Sequence, residues 1–312
     1  MLSTTAEPSA FDVGLDWTPL PGAPRLTRAV GSLLREIQIL DEHGDRRTIS
    51  IPAERPLTVF VDKRELVTLM TLGAAPEHLA IGYLRNQRIL RSVAELAAVQ
   101  VDWDVDAVAI TSRTLRDTGT TLWEHHDRRD DLDARLGRRT VTTGCGQGTV
   151  FGDLMDELDS VRLSVDATLS EEVLYEVMDR VRRHESIYKL AGAVHGCALC
   201  SNAGRDRGEI LSFVEDVGRH NAVDAIAGWM WLHGVGGADK IFYTTGRLTS
   251  EMVIKCAQMG IPFLLSRSGL TQMGFEIASR TGITMIGRCQ GKHYLLFTGQ
   301  GRFLRSPATA FA

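Results

Sequence analysis

Cys145 stands in a run of small residues, Thr140 to Gly152, between Gly144, Gly146 and Gly148. Glycine has no Cβ and admits positive φ, so the chain bends freely around this thiol. A cysteine framed in this way is approachable from several directions and suits a nucleophile that meets more than one partner. A free thiol has a pKa of about 8.5, so its thiolate needs a positive charge or a helix N-terminus nearby. No Lys or Arg lies within five residues of Cys145, so that help comes from elsewhere in the fold or from a ligand. The plainer reading is a glycine-rich turn that happens to hold a cysteine.

A second cluster, His195-Gly196-Cys197-Ala198-Leu199-Cys200, has the ligand types of a zinc site. A zinc deaminase also needs a glutamate beside its first ligand as general acid and base. Ala193 to Leu199 holds no acid, so that chemistry lacks its proton carrier. A redox or sulfur-relay dithiol is the next reading, and a pair of buried inert cysteines the plainest. Cys256, on a helix pattern, reads as core.

A third signal is basic. Helices and short apolar strands alternate in the second half of the chain, which predicts a layered α/β sheet. Ligands gather beyond strand ends in such sheets. The four predicted loops there are 215–221, 245–249, 266–271 and 288–293. They carry Arg219, His220, Arg247, Ser266, Arg267, Arg288, Lys292 and His293 with Gly218, Gly246, Gly269 and Gly291. Three of them enter helices, whose free N–H groups attract anions. Together they predict a phosphate or pyrophosphate pocket; the alternative is surface salt bridges to Glu215, Asp216 or Glu251. No Gly-x-Gly-x-x-Gly and no phosphate-loop Lys-Ser/Thr motif is present.

These residues need a frame. Residues 1–24, rich in Pro, Ala and Thr, read as a loose arm. An α+β N-terminal domain follows over 25–126. In it Arg35 to Ile51 forms a hairpin turning at His43-Gly44-Asp45, and Val59 to Val61 a strand. A helix starts at Asp62 or Lys63 with Leu66, Leu69 and Met70 on one face, and Gly73 stops it. A second helix starts near Pro76, and Leu96 to Ser112 returns to strands. Residues 127–165 form a charged connector and the Cys145 loop. The α/β domain, 166–312, opens on an amphipathic helix over Leu169 to Lys189 capped by Ser170.

The chain has 312 residues, a formal charge of -4, a 44% hydrophobic and a 24% charged fraction, and five cysteines. That balance argues against bulk nucleic-acid binding. An odd cysteine count at this length is no secreted disulfide framework. No apolar run approaches a membrane span, and the N-terminus lacks a secretory pattern. The expectation is a cytoplasmic protein.

Glu215-Asp216-Val217-Gly218-Arg219-His220-Asn221-Ala222-Val223-Asp224 resembles the signature of the FdhD family, formate dehydrogenase accessory sulfurtransferases. Further matches are RELVTLMTLGAAPEHLAIGYL (64–84), GAVHGCAL (192–199), TGRLTSEMVIKCAQMGIPFLLSRSG (245–269) and ITMIGR (283–288). They run in family order over most of residues 30 to 300. The resemblance implies a three-layer, cytidine-deaminase-like α/β C-terminal domain without deaminase chemistry, and a homodimer. It implies that a cysteine desulfurase loads sulfur on Cys145 as a persulfide. The sulfur then passes to bis-molybdopterin guanine dinucleotide, with molybdenum or tungsten, before that bound substrate enters formate dehydrogenase. The family's cofactor segment falls on Arg288, Cys289, Gln290, Gly291, Lys292 and His293, joined by Arg219, His220, Arg247 and Ser266 from the basic loops. His195, Asp216 and His220 are candidates to orient groups near the metal.

Two departures stand out. The family's Cys-Gly-x-Cys-Gly loop reads Cys145-Gly146-Gln147-Gly148 here, so Gly148 replaces the second cysteine. Cys197 and Cys200 stand where family members often carry small residues, and they are candidate relay thiols in its place. A sulfurtransferase-like carrier is thus set against a cofactor chaperone that does not use Cys145, and against a zinc hydrolase on His195, Cys197 and Cys200.

Overall fold

A computed structural model describes residues 11–12, 20–113, 158, 161 and 163–306 of the chain. Cys145 and most of the connector lie outside them.

The N-terminal domain is a five-stranded mixed sheet in the order β2-β7-β8-β5-β6. Its strands are β2 (Arg25–Leu26), β5 (Arg55–Val61), β6 (Arg64–Thr71), β7 (Leu96–Asp102) and β8 (Ala107–Ser112). The helix α1 (Pro76–Asn86) covers one face, with Pro76 in its first turn. The expected hairpin is present as β3 (Leu34–Leu40) and β4 (Arg46–Pro52), paired from Leu34↔Pro52 to Leu40↔Arg46. Asp41 shapes its turn: its carboxylate accepts the N–H groups of His43 and Asp45, both at 3.0 Å.

The helix expected from residue 62 is a correction: this stretch is strand β6. Asp62 and Lys63 adopt φ of 46° and 72° and form a tight turn that pairs Val61 with Arg64. A bulge follows, because Val59 faces Val67 while Phe60 faces Glu65. Leu66 is the extra residue. The bulge therefore brings Leu66 and Leu69, three apart, to the buried face and imitates a helical stripe.

The C-terminal domain is a seven-stranded sheet, β1-β11-β10-β12-β13-β14-β15. It contains β1 (Phe11–Asp12), β10 (His195–Ser201), β11 (Ile210–Asp216), β12 (Lys240–Thr244), β13 (Phe263–Ser266), β14 (Thr284–Gln290) and β15 (His293–Leu296). β10 runs antiparallel to β11 and β12, and β12, β13 and β14 are parallel. The C-terminal ends of β11 to β14 therefore share one edge with the start of β10. A small pair, β9 (Leu169–Ser170) and β16 (Phe303–Leu304), closes the domain.

Helices cover both faces. On one, Met178 and Val177 of α2 (Glu171–Arg183) pack on Ala198, Phe213, Tyr243 and Leu265. On the other, α4 (Arg219–Leu232), α5 (Ser250–Gln258) and α6 (Gln272–Thr281) pack on Cys197, Phe242, Leu264 and Met285. Ser170 caps α2 as expected, its Oγ accepting the Val173 N–H at 3.3 Å. The expected single helix to Lys189 is instead two: His184 ends α2 and α3 (Ile187–Ala191) starts anew at Ser186.

The two domains share one core. Leu57, Val59 and Ile110 of the first sheet, Leu79 and Leu84 of α1, and Ile226 and Trp229 of α4 form a continuous cluster. The helices α1 and α4 cross at glycines. A Cβ on Gly82 would lie 1.7 Å from the Asp224 carbonyl oxygen, and one on Gly228 2.0 Å from that of His78. Asp224, beneath the crossing, accepts from Asn86 Nδ2 at 2.6 Å and pairs with Lys255 at 2.8 Å.

A second tie is the buried carboxylate of Asp216. Its Oδ2 accepts the Thr71 hydroxyl and the Leu72 N–H (3.1 Å) from the N-terminal domain. Its Oδ1 accepts from Gly218 N and Asn221 Nδ2, both at 2.9 Å. Asn221 also donates to the Met70 carbonyl at 2.7 Å. Burial pushes the Asp216 carboxyl up to about 6, against the donors that favour its anion.

Two outcomes follow from these joints. Gly82→Ala, which in an open helix gains about 1 kcal/mol, is expected to lose about 3 kcal/mol or more by overpacking, read by urea denaturation. Thr71→Val withdraws one donor from Asp216, at a cost of about 1–3 kcal/mol when the carboxylate is charged. Because the folded-state pKa is raised, the carboxyl's favourable contribution is present at low pH and lost as pH rises through about 6. The variant's penalty is therefore larger at pH 7.5 than at pH 5, and an equal penalty at both would contradict this assignment.

Candidate functional site

The shared sheet edge gathers most of the predicted residues. His195 opens β10 opposite Asp216, and Thr244 sits between Cys197 and Ser266 across the ladder. Arg219 and His220 begin α4, directly after the β11 turn. Gly246 makes room for Arg219: a Cβ there would stand 2.9 Å from Arg219 Cδ. Ser266 acts on the loops themselves. Its buried hydroxyl donates to the Gly246 carbonyl at 2.6 Å and accepts the Ser268 N–H at 2.8 Å. This pins the loop after β12 to the loop after β13.

The local field is positive. Burial first, then the charges of Arg219 and Arg247, lower the pKa of the half-buried His195. Burial brings His220 down to about 3, although Glu251 opposes it. His220 Nε2 is 3.4 Å from Glu251, Glu251 is 3.3 Å from Lys255, and Lys255 meets Asp224. A chain of polar contacts thus runs from the neutral His220 at the edge to the Glu251–Lys255–Asp224 ion pairs in the core. Burial alone would lower the Lys255 pKa, but Asp224 and then Glu251 outweigh it and hold the ammonium above its usual range.

Glu215 and Asp216 were the alternative partners for the arginines, and both are engaged elsewhere. Glu215 accepts the N–H groups of Ile187 at 2.5 Å and Tyr188 at 3.1 Å, so it anchors α3. Arg247, Arg267 and Arg288 are exposed. Arg288 has φ 55° within an irregularity of β14 between Gly287 and Gln290, and its N–H donates to Ser268 O at 2.9 Å. Bulges of this kind re-aim a side chain at a sheet rim.

A cavity of about 310 Å³ opens at this edge on the α2 face. Met178, Phe213, Tyr243 and Cys289 give it an apolar floor, and Arg182, Lys189 and Arg267 stand around it. Tyr188 is at its mouth, with the Arg267 guanidinium 5.5 Å from its ring centre. The predicted run 288–293 divides here. Cys289, Gln290 and Gly291 line this cavity, whereas Lys292 and His293 line a separate groove beside β15. Tyr188, Lys189 and Tyr243 were not anticipated. The break between α2 and α3 that brings Tyr188 and Lys189 here is hidden in the sequence, because the helical pattern runs through it.

Cys197 and Cys200 do not meet. Strand alternation puts Cys197 in the core under α4 and Cys200 in the core under α2. Both are fully buried, and burial pushes each thiol up to about 12. The relay expectation therefore finds no support in this geometry. Among the described residues no three His, Cys, Asp or Glu side chains converge as metal ligands, which leaves the zinc reading of His195, Cys197 and Cys200 without a site.

Known proteins give this architecture a context. The fold resembles that of a putative formate dehydrogenase accessory protein from Desulfotalea psychrophila, with a TM-score of 0.65, 23% identity, and coverage of 87% of this chain and 98% of that one. The sulfur carrier protein FdhD of Listeria monocytogenes is 26% identical over 253 residues, 80% of this chain and 90% of the relative. That of Wolinella succinogenes is 24% identical over 269 residues, 85% and 87% of the two chains. Residues 52–304 match the FdhD/NarQ family, and with most of its length inside that match the chain belongs to this family.

Proposed function

We propose that the protein is a sulfur carrier for formate dehydrogenase maturation, with Cys145 as the carrying thiol. One observation supports this reading most directly. Of the five cysteines, the four in the described residues are buried, and burial pushes Cys197, Cys200 and Cys289 up to about 12 and Cys256 well above its usual range. A thiol must ionise to take up and hand on sulfur. That leaves Cys145, in its glycine frame.

In this reading a cysteine desulfurase loads Cys145 as a persulfide, and the bound substrate is bis-molybdopterin guanine dinucleotide with molybdenum or tungsten. The donor set suits such a substrate. Arg219, Arg247, Arg267 and Arg288 at one sheet edge match pyrophosphate oxygens, and the apolar floor beside Arg267 accepts a flat ring. The strand order β11-β10-β12-β13-β14 with helices on both faces supports a cytidine-deaminase-like C-terminal domain. The protein works as a homodimer, divided into units over 25–126 and 166–312. A free-thiol carrier suits the reducing cytoplasm.

Loading is tested with a cysteine desulfurase and isotopically labelled cysteine, followed by peptide mass spectrometry. The wild type is expected to carry one extra sulfur on Cys145, Cys145→Ala none, and Cys289→Ala the full load. Full formate dehydrogenase maturation by Cys145→Ala would instead favour a cofactor chaperone that does not use this thiol. Substrate binding is tested separately with guanosine diphosphate as probe. Arg267→Ala is expected to weaken it about tenfold by calorimetry, and unchanged binding would remove the cavity from the substrate site.

A further inference from the structure

The seven-stranded sheet ends at β15, and β14 is the one strand paired with it among the described residues. Phe297 N–H donates to Met285 O at 2.9 Å, which directs residue 297 toward β14. Alternation along the strand then turns Leu295 inward, and leaves the N–H and C=O groups of Tyr294 and Leu296 facing outward. Proline and lysine within the strand are two of the devices that blunt a sheet edge. His293-Tyr294-Leu295-Leu296 contains neither, and Leu295 is 38% exposed.

A groove of about 390 Å³ runs beside this edge. Its apolar wall is aromatic: Tyr294 meets Phe303 edge-on at 5.4 Å and Tyr175 at 6.1 Å between ring centres. The exposed cations Lys292 and Arg305 stand in it. Its carboxylate, Glu171, is already engaged. Glu171 accepts the Tyr294 hydroxyl at 2.6 Å and the Ser306 N–H at 3.1 Å, and the Tyr294 bond leads in holding its pKa below the usual range.

We propose that this edge binds an extended, acidic peptide segment of a partner protein, which adds as a strand to β15. Outward backbone groups supply the pairing. On the strand face turned to the groove, an apolar side chain meets the aromatic wall, and acidic side chains two residues to either side of it meet Lys292 and Arg305. The inference does not depend on the sulfur-carrier reading, because it uses neither Cys145 nor the cavity under α2.

The probe is a fluorescein-labelled peptide, TEVFVET, whose Glu, Phe and Glu share one strand face, titrated by fluorescence anisotropy into the full-length protein, with a lysine counterpart, TKVFVKT. The acidic peptide is expected to bind, the lysine peptide about tenfold or more weakly, and added salt to narrow the difference. Arg305→Glu, with an unchanged melting curve, is expected to weaken the acidic peptide about tenfold. N-methylation of alternate peptide bonds separates strand addition from charge attraction: one methylated set is expected to abolish binding and the other to preserve it. Equal binding of both peptides, or of both methylated sets, overturns the proposal, as does no binding at all. Binding that appears only after residues 307–312 are deleted would assign the groove to the chain's own end. A self-association broken by Arg305→Glu would assign it to a second copy. Either result overturns the partner assignment.

Discussion

The carboxylate of Asp216 is the point on which the arrangement turns. It sits at the end of β11, where the chain must leave the sheet and enter α4. One oxygen organises that turn through Gly218 and Asn221. The other holds Thr71 and Leu72 of the N-terminal domain. A buried charge is tolerated only where its lone pairs are met, and here the partners come from both domains. The position of Arg219 and His220 at the sheet edge therefore depends on the N-terminal sheet being in place.

This changes the meaning of the run Glu215 to Asp224. As a sequence it looks like a ligand-binding signature. In the fold, Glu215 anchors α3, Asp216 and Asn221 join the domains, and Asp224 lies below the Gly82–Gly228 crossing with Lys255. Arg219 and His220 are the members left at the basic edge. The run is thus largely a scaffold that presents two residues. The polar chain from His220 through the ionised Glu251 and Lys255 to Asp224 continues the scaffold inward, so the electrostatics of the edge and the packing of α1 on α4 are one problem.

Much of this was legible in the sequence because the periods were clean. The hairpin around Gly44 and the helix capped by Ser170 follow from alternation, turn chemistry and capping. The convergence of four basic loops followed from the order of strands and helices. The failures have physical causes. Strand β6 was hidden because one bulged residue, Leu66, turns an alternating pattern into a helical one. The end of α2 at His184 carries no glycine or proline; the helix stops where the His184 ring packs 4.1 Å from that of Phe213 and Glu215 anchors the next turn. Cys197 and Cys200 have the spacing of a ligand pair, but a strand sends them to opposite layers where a helix would not. The run 288–293 splits because β14 and β15 fold back at Gly291, a reversal that gives adjacent residues different neighbours.

The shared core also has a consequence for how the chain is made. Thr71 meets Asp216 across 145 residues of sequence, and Asn86 meets Asp224 across 138. Synthesis proceeds at about 5–20 residues per second, so α1 leaves the ribosome roughly 7–30 s before the helix that covers it. Throughout that interval the apolar face built from Leu79, Ala80, Tyr83 and Leu84 has no native cover from α4. The N-terminal half of this protein is therefore a nascent chain with an open flank until α4 arrives.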